Sequence, residues 1–116
     1  MAQIYLKQEL ENLKSERRKY ELEEYKKFEN FVFDCIENIK YAYVNGLRSI
    51  NTKKYYYDIP LNINFYLHKK FCKIFNSANK DKVDFKLTFY LTPVDHDWIS
   101  TVIITLNNKN KSCTIL

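Results

Sequence analysis

The feature that most constrains this chain is a stretch of 43 residues, from Ala2 to Val44, that contains neither glycine nor proline. Its first half is dense in Glu, Lys, Leu and Arg, which are strong helix formers. Asn45 and Gly46 follow directly, and a residue that readily adopts positive φ is the usual end of a helix. The sequence therefore predicts a long N-terminal helix.

The two halves of this predicted helix differ in their apolar pattern. In the second half, apolar residues recur at spacings of three and four and form one stripe, which predicts a face that packs in the core. The stripe consists of Tyr25, Phe28, Val32, Cys35, Ile39 and Ala42. The first half carries a narrower row, which one arginine interrupts and alternating charges surround. This row, here named the seam, consists of Leu6, Leu10, Leu13, Arg17 and Tyr20.

A continuous helix of this length is too long for its own domain. At about 1.5 Å per residue it would span roughly 65 Å, whereas a compact chain of this size has a radius of gyration of about 13 Å. Either the helix breaks near residues 26–30 and folds back as a helical hairpin, or residues 1–24, here named the arm, project outward. A projecting arm predicts that the seam binds a protein partner or a second copy of the chain, because its spacing suits packing against another helix.

The rest of the chain predicts a smaller helix and a C-terminal hairpin. A short strand is expected within residues 48–58, and a helix from about Asn64 to Asn79 with Asn62 or Asn64 as its N-cap. Every second residue from Val83 to Leu91 is apolar and residues 98–106 are rich in β-branched side chains, so two antiparallel strands are expected.

We expect the loop of this hairpin to have five residues, 93–97. The predicted class is α+β, as one domain over residues 1–116 with a polar, flexible tail at 107–116.

Charge is concentrated in the middle third of the chain. Residues 41–80 carry seven Lys or Arg against one Asp, whereas residues 1–40 carry eight against nine acidic residues. Basic groups interleaved with aromatic ones are typical of proteins that bind nucleic acid by phosphate contacts and base stacking. A lysine-rich surface over an aromatic core explains the same pattern. Nucleic-acid binding is therefore the alternative function, through Lys53, Lys54, Tyr55, Tyr57, Lys69, Lys70 and Lys73.

Catalytic, metal and cofactor sites have few candidate residues. The chain has two histidines and one glycine, whereas a phosphate-binding loop needs several glycines and an activated nucleophile needs a neighbouring base. His68 and Cys72 are four residues apart and offer two metal ligands, with no third at a recognisable spacing. The run from Asp95 to Asp97 is better explained as a turn. We expect a non-catalytic binding protein without metal or cofactor.

The cysteines indicate a reducing, cytoplasmic location. Cys35, Cys72 and Cys113 are odd in number and widely spaced, unlike the disulfide framework of a small secreted domain. The sequence also has no apolar leader and no run of about 18 apolar residues, so a transmembrane segment is not expected. Residues 113–116 match a C-a-a-X pattern, which predicts prenylation of Cys113 and membrane anchoring only in a eukaryotic cell.

Overall fold

The computed structural model describes residues 2–47 and 54–106, with side chains from residue 6 onward. The predicted α+β class, with a long N-terminal helix, a shorter central helix and a C-terminal hairpin, is confirmed. The elements in chain order are α1 (Ala2–Val44), β1 (Lys54–Asp58), a single 3-10 turn (Phe65–Leu67), α2 (His68–Ala78), β2 (Phe85–Val94) and β3 (Asp97–Leu106). Residues 48–53 of the predicted first strand and the predicted tail, 107–116, lie outside the described residues.

Helix α1 is continuous over its 43 residues. Of the two alternatives, the break near residues 26–30 is wrong: this segment holds no glycine or proline, and α1 runs through it without interruption. The helix ends where the sequence predicts. Gly46 has φ +71°. Its N–H donates to the carbonyl of Tyr43 at 3.1 Å, and the N–H of Leu47 donates to the carbonyl of Ala42 at 2.8 Å. This double hydrogen bond is the Schellman motif, which satisfies the last carbonyls of a helix.

The helix α2 begins through the 3-10 turn before it. Asn64 caps that turn, since its side-chain oxygen accepts from the N–H of Tyr66 at 2.9 Å. Asn64, one of the two asparagines predicted as the N-cap of the helix, therefore caps only the 3-10 turn. The helix α2 itself begins at His68, four residues later than predicted, with Leu67 as its N-cap and no side-chain cap. At the other end the N–H of Asn79 donates to the carbonyl of Phe75 at 3.0 Å.

The three strands form one antiparallel sheet in the order β1-β3-β2. The central residue Ile104 lies between Tyr55 on β1 and Leu87 on β2. Strands β2 and β3 remain paired up to Val94 and Asp97, so only two residues connect them. The five-residue loop predicted from the sequence is therefore wrong. Asp95 takes φ +54° at this turn, a conformation that two-residue hairpins require and that Asp tolerates.

Pro93 lies inside β2 and does not end it. The N–H and C=O of Leu87 bond to Asn76 of α2, so at Leu87 the backbone polar groups point away from β3. In an antiparallel strand the backbone polar groups of successive residues point alternately towards and away from the neighbouring strand. Pro93 is six residues after Leu87, so its backbone nitrogen also faces the outer edge. A proline at such a position removes no hydrogen bond from the sheet.

Both helices contribute to one core on the inner face of the sheet. The ring of Phe28 lies 5.6 Å from that of Phe71, and the ring of Phe33 lies 5.3 Å from that of Phe75. The largest fully buried side chains come from α1, α2 and β3: Phe28, Val32, Phe71, Phe75, Val102 and Ile104.

The apolar alternation between Val83 and Leu91 corresponds to the burial along β2, whose apolar side chains face the core. Phe85 and Leu87 are buried and Phe89 is half-buried, whereas Lys86 and Thr88 between them are exposed.

The molecule is elongated, because α1 extends well beyond this core. Its principal extents are 69 × 38 × 19 Å and its radius of gyration is 18.6 Å. A compact chain of this length would have a radius of gyration of about 13 Å. The difference comes from the arm, which projects from the domain.

Candidate functional site

The arm presents the seam on a helix that is open to solvent. Every side chain from residue 6 to residue 20 is exposed. Leu6, Leu10 and Leu13 are 57%, 49% and 60% exposed, and Tyr20 is 46% exposed. Four large apolar side chains lie along one helix face and are each about half exposed. The seam is therefore the leading candidate for a binding site.

The base of the arm is fixed to the rest of the domain by polar contacts. Lys70 of α2 donates from Nζ to Oε2 of Glu21 at 2.9 Å, and Asn64 donates from Nδ2 to the hydroxyl of Tyr20 at 3.0 Å. The hydrogen bond from Lys70 is the main reason that the pKa of Glu21 lies below its ordinary value. Arg17 of the seam also bonds to Glu21, with 3.3 Å between Nε and Oε1.

From Glu24 onward, the side of α1 that carries the seam is covered by the domain. Glu24, four residues after Tyr20, is only 6% exposed, and its Oε2 lies 3.4 Å from Nζ of Lys27. The open part of the seam therefore ends at Tyr20. Sequence reasoning found the seam but missed Glu21 and Asn64, which hold its base, since neither belongs to a motif.

The residues predicted to bind nucleic acid are not brought together. Tyr55 is 3% exposed and Tyr57 is half-buried, both on the inner face of the sheet. Lys54 lies on β1 and is exposed, whereas the three lysines of α2 lie on the helix layer: Lys69, Lys70 and Lys73. Lys53 lies outside the described residues.

The outer face of the sheet carries a different aromatic and basic set. Tyr56 and Tyr90 are 61% and 52% exposed there. Lys54 and Lys86, both exposed, pair with Thr105 from either side, so that they lie in one row across the three strands. The described residues leave these four side chains open to solvent.

His68 belongs to a buried polar cluster that the sequence did not reveal. Its Nε2 lies 3.0 Å from the carbonyl of Ile63 and its Nδ1 lies 2.8 Å from Oγ of Ser100. A carbonyl only accepts, so Nε2 carries the proton and Ser100 donates to Nδ1. Burial lowers the pKa of His68 below its ordinary value of 6.5, against opposing effects of the Ile63 hydrogen bond and the charge of Glu24.

We assign this cluster a structural role. His68 is 2% exposed and Ser100 is 6% exposed, so both side chains lie within the packed core and join α2 to β3. The sequence gives no sign that Ser100 is the partner of His68, because the two residues are 32 positions apart and no local pattern connects them.

The predicted pair His68 and Cys72 is buried next to the core. Among the described residues, no three of His, Cys, Asp and Glu lie close enough together to hold a metal ion. Cys35 and Cys72 are free thiols, and burial raises the pKa of each to about 12. Cys113 lies outside the described residues.

The comparisons identify no relative. No protein-family model, no curated protein and no solved structure matches this chain. Within residues 2–47 and 54–106, no helix has both the length and the hydrophobicity to cross a bilayer. The function must therefore be inferred from the surfaces described above.

Proposed function

We propose that this chain is a non-catalytic binding protein that acts through protein–protein contacts made by the seam, and that its first partner is a second copy of itself. One observation carries the proposal: the leucines of the seam remain about half exposed along a helix whose base is fixed to a folded domain. A helix with one apolar row is typically covered by another helix.

The area available in the seam sets the strength of this contact. A fully buried Leu or Tyr contributes roughly 1.5–3 kcal/mol, so half-burial of four such side chains in each of two copies contributes on the order of 8 kcal/mol. Association opposes this with an estimated cost of about 4–15 kcal/mol in lost translational and rotational freedom. The two terms are similar in size, so we expect weak self-association that depends on concentration.

The test removes the apolar row without touching the core. In the double variant Leu10→Glu and Leu13→Glu, both changes fall on exposed positions, so we expect an unchanged folded domain. In sedimentation equilibrium, the average mass of the wild-type protein should rise above 14.1 kDa with concentration, and that of the variant should not. Asn12→Glu with Ser15→Glu is the matched control, because it adds the same charge on the exposed side of α1 that lies off the seam.

Two results would overturn the proposal. A wild-type chain that stays at 14.1 kDa at its highest soluble concentration would exclude self-association. Equal self-association in the seam variant and the control would assign the contact to another surface.

Nucleic-acid binding is the second candidate, and the arrangement of side chains supports it at the outer face of the sheet. Tyr56 and Tyr90 are exposed there together with Lys54 and Lys86. Exposed aromatic rings stack on unpaired bases and lysines contact phosphates, which suits single-stranded nucleic acid.

Salt-dependent retention on immobilised single-stranded DNA tests this candidate. We expect the charge reversal Lys54→Glu with Lys86→Glu to abolish retention, whereas Lys69→Glu with Lys73→Glu should leave most of it. If the α2 variant lost retention instead, the lysines of the helix layer would be the binding site. If the wild-type protein did not bind at low salt, the candidate would be excluded.

A further inference from the structure

Helices α1 and α2 run in the same direction over the sheet. The ring of Tyr25 lies 5.5 Å from that of Phe71 in the first half of α2. Further along both helices, the ring of Phe33 lies 5.3 Å from that of Phe75. The arm, which precedes these contacts, therefore extends beyond the start of α2.

The start of α2 lies at the turn end of the sheet. His68, its first residue, is bonded at 2.8 Å to Ser100, which pairs with Leu91. Asn76, near the end of α2, bonds to Leu87, which is further from the turn than Leu91. The arm and the turn between β2 and β3 therefore project from the same end of the domain.

The arm reaches well past that turn. Glu24 and Ser100 both lie near His68, since the charge of Glu24 acts on the histidine and Ser100 donates to it. Measured from Glu24, Leu6 is about 27 Å further along the helix. Measured from Ser100, Asp97 is only about 10 Å further along β3. The outer part of the seam therefore lies beyond the end of its own sheet.

The seam faces the layer in which the sheet lies. Glu24 is on the same side of α1 and is buried against the domain, and Phe28, one turn later, is fully buried in the core. Because the arm belongs to the same unbroken helix, a partner of the seam must lie in line with the sheet, past the turn.

A second arm does not suit this space. In a parallel pair each α1 would run into the domain of the other copy, because α1 continues unbroken to Val44. In an antiparallel pair each flank of the seam meets the same flank of the other arm. One flank carries Glu9 and Glu16, so their carboxylates would face one another, and like charges across an interface oppose binding.

The outer face of the sheet carries an apolar patch beside the turn. Its three side chains share that face by their register and are 52%, 41% and 38% exposed. This patch, here named the turn patch, consists of Tyr90, Val94 and Ile99. Three exposed carboxylates lie on the same end of the sheet, those of Asp58, Asp95 and Asp97. Residues 6–20 of the arm carry five Lys or Arg against three Glu, so the charges around the seam and the turn patch are opposite in sign.

We propose that the seam of each copy covers the turn patch of the other, about a twofold axis that passes between the two turns. The second copy is turned over, so that its sheet lies end to end with the first and presents its outer face to the first arm. The two arms then lie on opposite sides of the two sheets. This inference rests on the proposed function and names the surface that the seam binds.

The arrangement uses a depth of packing that the protein already has. The arm continues the helix that packs on the inner face of its own sheet, so a second sheet in line with the first lies at the same depth beneath the arm. The twofold axis repeats the contact, and both seams and both turn patches are covered. The domains lie at opposite ends of the pair, so neither α1 meets the domain of the other copy.

Cross-linking of two single-cysteine variants tests which surfaces meet. In a Cys113→Ser background, full-length Leu10→Cys and Ile99→Cys proteins are mixed and treated with a short bismaleimide. We expect a cross-linked dimer from the mixture and none from Leu10→Cys alone, because the two arms lie on opposite sides of the sheets. The native thiols Cys35 and Cys72 are buried, with pKa values of about 12, and do not compete. Leu10→Cys mixed with Ser77→Cys is the control, because Ser77 is exposed on the helix layer.

Removing apolar groups from the turn patch tests its contribution. Val94→Thr with Ile99→Thr keeps β-branched residues at exposed strand positions, so the sheet should stay folded, which circular dichroism checks. In sedimentation equilibrium this variant should self-associate about tenfold more weakly than the wild type. Tyr56→Thr is the matched control, because Tyr56 is 61% exposed on the same face but further from the turn. If the double variant does not fold, the cross-linking result decides alone.

The two levels of the argument fail separately. A Leu10→Cys protein that cross-links to itself, or self-association that depends on Leu10 and Leu13 but not on Val94 and Ile99, would overturn the turn patch as the partner and leave the proposed function standing. Equal cross-linking to Ser77→Cys, or an equal loss of affinity in Tyr56→Thr, would overturn it as well. Loss of all dependence on the seam leucines would remove the proposed function itself.

Discussion

Replacing Asn76 should destabilise the sheet although Asn76 belongs to a helix. Its side chain lies alongside the outer edge of β2 and makes two hydrogen bonds with one residue there. Nδ2 donates to the carbonyl of Leu87 at 2.8 Å, and Oδ1 accepts from the N–H of Leu87 at 2.8 Å. An Asn76→Ala variant loses both bonds and leaves a partly buried backbone N–H and C=O unpaired.

The size of the effect follows from these two bonds. Each contributes about 0.5–1.5 kcal/mol net, so their loss costs about 1–3 kcal/mol. Alanine is the better helix former by about 0.6 kcal/mol, which offsets part of this. We therefore expect the free energy of unfolding to fall by about 1–2 kcal/mol, with a decrease in Tm of about 5–10 °C for a domain of this size.

Urea denaturation followed by circular dichroism measures this change. Ser77→Ala is the matched control, because Ser77 is the next residue of α2, is exposed and gains similarly in helix propensity. The variant should also scatter more light after heating, since the uncovered edge of β2 can pair with another chain. An Asn76→Ala protein as stable as the Ser77→Ala protein would show that the two hydrogen bonds contribute nothing net, and the reasoning would be wrong.

Three further predictions test the core, the buried histidine and the helix end. Phe75→Ala should cost about 3–5 kcal/mol in urea denaturation, because Phe75 is fully buried. Ile74→Ala, at a site that is 37% exposed, should cost much less, and equal losses would contradict the assigned face of α2. Burial lowers the pKa of His68 below 6.5, so the unfolded chain binds more protons than the folded one, and stability should fall as pH drops from about 6.5 towards the folded pKa. This slope should flatten in His68→Gln, and an unchanged slope would refute its origin in His68. Gly46→Ala should cost about 1 kcal/mol from backbone strain at φ +71°, even though an added Cβ meets nothing within 4 Å, and a gain in Tm would contradict this.

The long helix and its end could be predicted because their causes are local. A glycine- and proline-free stretch favours helix at each residue, and Asn45 with Gly46 supplies a local stop. The length of the helix left two alternatives, a break or a projecting arm, and the uninterrupted α1 of the structure leaves only the projecting arm.

The features that the sequence did not reveal depend on contacts between distant residues. Tyr55, Tyr56 and Tyr57 are identical in type, so the sequence gives no sign of which ones face the core. Only pairing with β3 decides this, and it turns Tyr55 inward and Tyr56 outward. The sequence predicts Pro93 as a loop residue, because proline interrupts a strand unless the position of its missing N–H faces an edge of the sheet. At that edge the side chain of Asn76 donates to the carbonyl of Leu87, a residue 11 positions away in the sequence.

The order of strands in the sheet has a consequence for how the chain folds. In the described sheet, β1 and β2 both pair with β3, which follows them in sequence. The two-residue turn lets β2 and β3 pair locally, whereas the bond between Asp58 and Thr101 closes a separation of 43 residues. Such long-range contacts form more slowly. During synthesis the tyrosine-rich β1 therefore leaves the ribosome with no strand to pair with, and in pulse-labelled hydrogen exchange its amides should become protected after those of β2. Protection of β1 before β2 would contradict this order. Until β3 has been made, the aromatic side chains of β1 remain exposed to other nascent chains.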